Sequence, residues 1–155
     1  IGLSANLRLL RSESEWGDAD LYMKDGRLNF LGTRTKGNTI AQMISFLESQ
    51  GVKFVYAPYY IKYRLIFESR EEIIASSSLF TPSAIRYPQY EKAVKEANRF
   101  AFVLYRVSPY NRWIENELRR LGVPYKKAFI NEMSVYYPIE RKHIPAGMYQ
   151  GQRGF

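Results

Sequence analysis

Cysteine is absent from this 155-residue chain and histidine occurs once, as His143. Disulfides, thiolate metal sites and cysteine nucleophiles are excluded together. A zinc site would have to combine one imidazole with carboxylates alone, which is not the usual donor set, so neither a metal nor another cofactor is expected. Long apolar runs are missing too. The densest, residues 100–105, has strand length and falls far short of the ~20 residues that span a bilayer, so the chain reads as a soluble domain. Residues 1–10 lack the basic start and apolar stretch of a signal peptide. No Walker loop is present, nor a Gly-x-Gly-x-x-Gly turn after a strand. The first internal strand is followed instead by Ala57-Pro58-Tyr59-Tyr60, too bulky for a backbone to close around pyrophosphate.

Apolar and aromatic residues are plentiful: 46% of the chain is hydrophobic, with 13 Tyr and 9 Phe. That composition suits one packed core in a single domain of ordinary size. The net charge is +8, and it is uneven: residues 1–50 hold six Lys/Arg against six Asp/Glu, residues 51–155 seventeen against nine. The basic second part favours anionic partners such as nucleic acid, lipid head groups or phosphorylated ligands, or simply keeps the surface soluble.

Residues 1–37 are polar and turn-rich. Within them Asp25-Gly26, flanked by Leu21/Met23 and Leu28/Phe30, predicts a two-residue β-hairpin, because that turn needs positive φ. From residue 38 the pattern becomes helical: Thr39 and Gln42 suggest a capping box ahead of Ile40, Met43, Ile44 and Leu47, and Gly51 ends the helix. Val52–Tyr56 reads as a strand. Residues 59–69 fit strand or helix; helix is chosen because a strand follows at 72–76 and a parallel pair requires a crossover. Pro88 opens a helix with Tyr90, Ala93, Val94 and Ala97 on one face, and residues 100–105 form a strand buried on both faces. Ser108-Pro109 starts another helix, with Tyr110, Ile114, Leu118 and Leu121 on its buried side, stopped by Gly122 and Pro124. Residues 125–130 and 132–137 are two last strands joined near Asn131, and residues 138–155 are an irregular tail. Helix–Gly–Val–strand thus occurs twice. The expected architecture is α/β: a small Rossmann-like three-layer domain over residues 38–137, mostly parallel, with an N-terminal hairpin extension and an antiparallel edge strand.

Candidate chemistry is sparse. Ser76-Ser77-Ser78 follows a strand, but no nucleophile elbow surrounds it and only His143 offers a base; a polar loop explains it equally. Glu68/Glu72 and Glu115/Glu117 are carboxylate pairs that also read as solvated charge, the second pair sharing no helical face. Arg99-Phe100-Ala101-Phe102-Val103-Leu104-Tyr105 is similar to the aromatic strand of an RNA-recognition motif, yet it lacks the glycine after the basic residue, and a helix precedes it where that fold needs a strand. The remaining cluster is positional. Ligands approach open α/β sheets at the carboxyl ends of the strands, and those ends carry Tyr59, Tyr60, Tyr63 and Arg64, then Ser76–Ser78, Arg86 and Tyr87, then Arg106 and Tyr110. Aromatic faces with guanidinium groups suit a sugar ring, a phosphate or a carboxylate; packing of the same rings in the core is the other reading.

Residues 51–69 (Gly51-Val52-Lys53-Phe54-Val55-Tyr56-Ala57-Pro58-Tyr59-Tyr60-Ile61-Lys62-Tyr63-Arg64-Leu65-Ile66-Phe67-Glu68-Ser69), with Glu72-Ile73-Ile74-Ala75, Arg86-Tyr87-Pro88 and Phe100-Ala101-Phe102-Val103, lie within a span of about a third of the chain. Together they resemble a segment that follows the last membrane helix in bacterial polytopic dolichyl-phosphate-mannose mannosyltransferase-like glycosyltransferases. Pro58 stands where that pattern has Asp, Tyr60 where it has Trp and Ile66 where it has Thr. The resemblance implies a non-catalytic extracytoplasmic domain, attached through upstream membrane segments, since the family's acceptor-activating acid belongs to the membrane part; the chain opens on Ile1 rather than Met. It also implies a glycan, a lipid-linked saccharide or a protein partner as the occupant of Tyr59, Tyr60, Tyr63, Arg64, Arg86, Tyr87 and Arg106. The basic excess fits proximity to anionic lipid. A charge-driven nucleic-acid-binding module is the alternative reading, and a small free-standing enzyme built on Glu68, Glu71 and Glu72 a third.

Overall fold

The computed structural model describes residues 21–24, 27–30, 38–80 and 86–144. The hairpin expected around residues 25 and 26 is present: β1 (Leu21–Lys24) pairs antiparallel with β2 (Arg27–Phe30), Leu21 opposite Phe30 and Lys24 opposite Arg27.

The α/β part contains α1 (Thr39–Ser49), β3 (Phe54–Tyr56), α2 (Tyr59–Glu68), β4 (Ile74–Ser76), α3 (Pro88–Glu96), β5 (Arg99–Tyr105), α4 (Tyr110–Arg120), β6 (Lys126–Ile130) and β7 (Met133–Glu140). A single 3₁₀ turn follows at Arg141–His143. The five strands order as β4-β3-β5-β7-β6. β3 is parallel to both β4 and β5, while β7 is antiparallel to β5 and to β6. Four strands therefore run one way and β7 opposes them, which makes the sheet mostly parallel.

The opposing strand is not at the edge, as the sequence suggested, but second from it, and β6 takes the edge. The reason lies in the side chains. β7 buries Met133, Ser134, Val135 and Tyr136 in succession, whereas β6 exposes Lys126, Lys127 and Phe129. An apolar strand gains by lying inside a sheet, and lysines suit an unpaired edge. The chain reverses between them at Asn131, whose φ of 50° lies in the left-handed region that Asn tolerates. β7 also runs on past the expected end at residue 137, through Pro138 to Glu140. The register with β5 shifts between Phe100 and Phe102, and β6 pairs no further than Tyr137, so the missing N–H of Pro138 falls at an irregularity.

The repeated helix–Gly–Val–strand has a common cause. At the end of α1 the Gly51 N–H donates to the Glu48 carbonyl at 3.0 Å and the Val52 N–H to the Leu47 carbonyl at 2.9 Å; after α4, Gly122 and Val123 do the same to Arg119 and Leu118 at 3.0 and 2.9 Å. Both glycines have φ of +64°. These are two Schellman caps, each sending a buried valine onward toward the next strand. Thr39 and Gln42, by contrast, do not form a capping box. Asn38 is the N-cap without a side-chain bond, and Thr39 Oγ1 and Gln42 Oε1 instead accept from Asn131 Nδ2 at 3.1 and 3.0 Å. The pair ties α1 to the β6–β7 turn.

Residues 59–69 resolve as the crossover helix α2, which joins the parallel neighbours β3 and β4. The next strand begins two residues later than expected because Arg70 and Glu71 both have positive φ (53° and 65°) and turn the chain back. Around β5, buried from Phe100 to Tyr105, two apolar clusters form on alternate residues. Ala101, Val103 and Tyr105 join Ile40, Met43 and Leu47 of α1 and Ile61, Leu65 and Ile66 of α2. Phe100, Phe102 and Leu104 join Val94 of α3 and Ile114 and Leu118 of α4. Each fully buried Val, Leu, Ile, Phe or Met among them contributes about 1.5–3 kcal/mol relative to exposure. Among the described residues, no helix is long and apolar enough to cross a membrane.

Candidate functional site

The parallel strands β3, β4 and β5 deliver their carboxyl ends to one edge of the sheet, and α2 leaves from the first of these ends. Pro58, with φ of −57°, turns the chain directly from the loop after β3 into α2. Spacing of three and four residues then puts Tyr59, Tyr60, Tyr63 and Phe67 along one side of the helix. Their rings form a continuous series: Tyr59–Tyr60 at 5.4 Å, Tyr59–Tyr63 at 4.9 Å and Tyr63–Phe67 at 6.1 Å between centroids. The segment leading into α3 joins it, with Tyr87 at 6.2 Å from Tyr63 and Tyr90 at 5.6 Å from Tyr87. Tyr60, Phe67 and Tyr87 are exposed, at 39%, 64% and 40%. Core packing therefore accounts for none of these three.

The electrostatics fit a neutral aromatic surface beside a cation. Burial pushes the Tyr63 phenol up to about 12, the Tyr59 hydroxyl adds to the rise, and the positive charge of Arg86 partly offsets it. Arg86 is exposed and makes no ion pair among the described residues. Tyr90 donates to Glu71 Oε1 at 2.8 Å, and this bond raises its pKa. Arg64 Nε reaches Glu68 at 2.8 Å along the same helix. Of the seven residues singled out in the sequence, Tyr59, Tyr60, Tyr63 and Tyr87 thus come into ring contact. Arg86 lies within electrostatic reach of Tyr63, and Arg64 lies on the same helix. Arg106 is engaged elsewhere: its guanidinium stands 4.3 Å from the Phe129 ring centroid on β6 and its Nη1 donates to the Asn131 carbonyl at 3.4 Å.

Beneath the rings lies a polar network that sequence reasoning did not find. Lys62 of α2 is fully buried and forms an ion pair with Glu91 of α3, itself 8% exposed. The other Glu91 oxygen accepts from the Ser76 hydroxyl at the end of β4. Ser76 Oγ and Ser78 Oγ share a hydrogen bond of 2.8 Å, and the Ser78 N–H donates to Ser76 Oγ at 3.2 Å. Lys62 Nζ lies 5.3 Å from the Tyr63 ring centroid, directly linking the network to the aromatic surface. Removing two ions from water costs several kcal/mol each and is offset only when the pair is close and hydrogen-bonded; here Lys62 pairs with one Glu91 oxygen and Ser76 donates to the other. A signal for it existed: Lys62 shares its helical face with the buried Leu65, Ile66 and Ser69, and Glu91 lies one turn before the buried Val94. A charge at a core position of a helix marks a buried partner elsewhere.

The other candidates separate cleanly. Glu68, Glu71 and Glu72 are all exposed, and two of them are occupied by Arg64 and Tyr90, so no carboxylate pair faces a cleft there. Glu115 is drawn to Lys127 and Tyr136, the Lys127 hydrogen bond holding its carboxyl below the usual range, whereas Glu117 pairs with Arg120 at 2.7 Å. Phe100 and Phe102 are 0% and 1% exposed and pack on Tyr56, so they cannot stack bases as an RNA-recognition strand does. Among the described residues, no group of three or more His, Asp or Glu is placed to hold a metal ion.

Protein-family models, curated proteins and solved structures were each compared with the chain, and none matches.

Proposed function

We propose that the chain is a saccharide-binding domain whose site, the tyrosine surface of α2 and the segment leading into α3 with Arg86 as its cation, carries out no catalysis. The observation that carries this reading is the exposure of Tyr60, Phe67 and Tyr87 within one continuous ring series at the carboxyl edge of the sheet. Aromatic faces stack on the C–H faces of sugar rings, and a guanidinium supplies bidentate hydrogen bonds to a phosphate or carboxylate on the same ligand. Two separate apolar clusters flanking β5 support reading the fold as a small Rossmann-like three-layer domain, whose ligands approach this edge. The resemblance of residues 51–106 to glycosyltransferase-like membrane proteins supports a glycan or lipid-linked saccharide as ligand. It equally supports an extracytoplasmic position beside membrane segments of a longer protein, where a protein partner would share the same surface.

The test is calorimetric titration with mannose, mannose 1-phosphate and a mannotriose. Tyr60→Ala and Tyr87→Ala, both at exposed positions, are expected to weaken binding about tenfold or more while leaving the thermal midpoint within a few degrees. A parent protein that binds none of the three, like its variants, argues against the reading.

A second reading has one observation in its favour. Phe129 is 52% exposed, with Arg106 at 4.3 Å and Lys127 at 5.2 Å from its ring centroid, a combination that suits single-stranded nucleic acid. It requires oligonucleotide binding that falls steeply with salt; absence of binding at low salt removes it.

A further inference from the structure

The sequence left Ser76-Ser77-Ser78 without a base within reach. The fold supplies one from another element, since Glu91 of α3 meets Ser76 at the end of β4. We infer that Ser78 is a reactive serine, activated through Ser76 by the Glu91 carboxylate, and that it accepts an acyl group from small activated esters.

Position and burial both point this way. Ser76 and Ser77 are fully buried, whereas Ser78 is partly exposed. The path Lys62–Glu91–Ser76–Ser78 therefore begins in the interior and ends at a partly exposed residue. A serine hydroxyl is a weak nucleophile until an adjacent base takes its proton, directly or through one hydrogen-bonded group. The 2.8 Å bond between the two hydroxyls supplies that intermediate link. Lys62 pairs with the other Glu91 oxygen and fixes the carboxylate against Ser76. It is a positioning residue, as is Glu91 with respect to Ser78.

The step balances as follows. Ser78 Oγ forms a bond to the acyl carbon and the ester C–O bond breaks. The Ser78 proton passes to Ser76 Oγ and the Ser76 proton to Glu91; the leaving alkoxide or phenolate takes its proton from water, and Glu91 returns the held proton through Ser76 when hydrolysis frees the Ser78 oxygen. The product is an O-acyl serine, which water hydrolyses back to the free hydroxyl and a carboxylic acid. Substrates are limited to small activated esters because Ser78 is only partly exposed.

The experiment is incubation with p-nitrophenyl acetate, following phenolate release and locating the acetyl group by peptide mass spectrometry. Acetylation at Ser78 is expected, and it should vanish in Ser78→Ala but persist in Ser49→Ala, a control at an exposed position. Ser76→Ala leaves the Lys62–Glu91 pair in place, so a drop of about a hundredfold in the acetylation rate at Ser78, with an unchanged circular dichroism spectrum, is the sign of a relay. No acetylation of Ser78 in the parent overturns the inference, and so does equal acetylation in Ser76→Ala. Saccharide binding is read separately by titration, so either proposal can fail without the other.

Discussion

At the scale of single residues, Lys62 stands out as an ammonium with no exposure, held by one carboxylate. Lys62→Met leaves Glu91 buried without its counter-ion, and an uncompensated charge of this kind costs about 3–5 kcal/mol. Urea unfolding is expected to show that loss, and the double variant Lys62→Met/Glu91→Gln is expected to recover most of it, because two neutral groups of similar size carry no such penalty. Equal losses in the single and double variants would mean that packing rather than charge dominates. Tyr63 gives a second check. Its phenol is raised from an ordinary value of 10.0 to about 12, so the folded state holds its proton more tightly than the unfolded state does. Stability is independent of this group below about pH 10 and falls as pH rises from about 10 to 12. Tyr136 is also raised, chiefly by burial. Alkaline ultraviolet titration should therefore show late phenolate formation, reduced by one group in Tyr63→Phe and by another in Tyr136→Phe.

At the scale of elements, the sequence was most legible where local chemistry and tertiary structure agree. Gly51-Val52 and Gly122-Val123 announced two helix ends, and the structure has a Schellman cap at each. Asp25-Gly26 announced the hairpin, and the helix at residues 59–68 followed from the need for a crossover between parallel strands. Legibility failed where a residue serves a partner distant in sequence. Thr39 and Gln42 match a cap locally but are used by Asn131, about ninety residues on. The antiparallel strand was expected at the edge, and it lies second from it because the depth of a strand depends on the relative apolarity of β6 and β7, not on either alone. Backbone strain gives opposite predictions at two positions. Gly122 has φ of +64° and open space around an added Cβ, so Gly122→Ala is expected to cost about 1–2 kcal/mol from conformation alone. Arg70, at φ of 53°, carries the same strain already, and Arg70→Gly is expected to stabilise by up to about 1 kcal/mol after the entropy lost by glycine is allowed for. Thermal unfolding of the two variants checks both signs.

At the scale of the whole molecule, parallel strands bring chemically selected turns to one edge, and that geometry decides what the site contains. The tyrosines were readable as a group because they cluster within α2 and at the entry to α3. Arg106 was grouped with them only because it follows β5. Two strands lie on the far side of β5, and Arg106 faces their turn, stacked on Phe129. The Lys62–Glu91–Ser76 network escaped notice for a related reason: its three members lie on three elements, and no linear spacing connects them. The same network joins α2 to α3, and Tyr63 and Tyr87 meet at 6.2 Å between ring centroids.

That single surface is tested most directly by nuclear magnetic resonance titration of the parent protein with the mannotriose. Shifts concentrated at Tyr59, Tyr60, Tyr63, Arg86 and Tyr87, spanning α2 and the segment leading into α3, are the expected result. Shifts confined to Lys126, Lys127 and Phe129 on β6, or none anywhere at millimolar ligand, would contradict it.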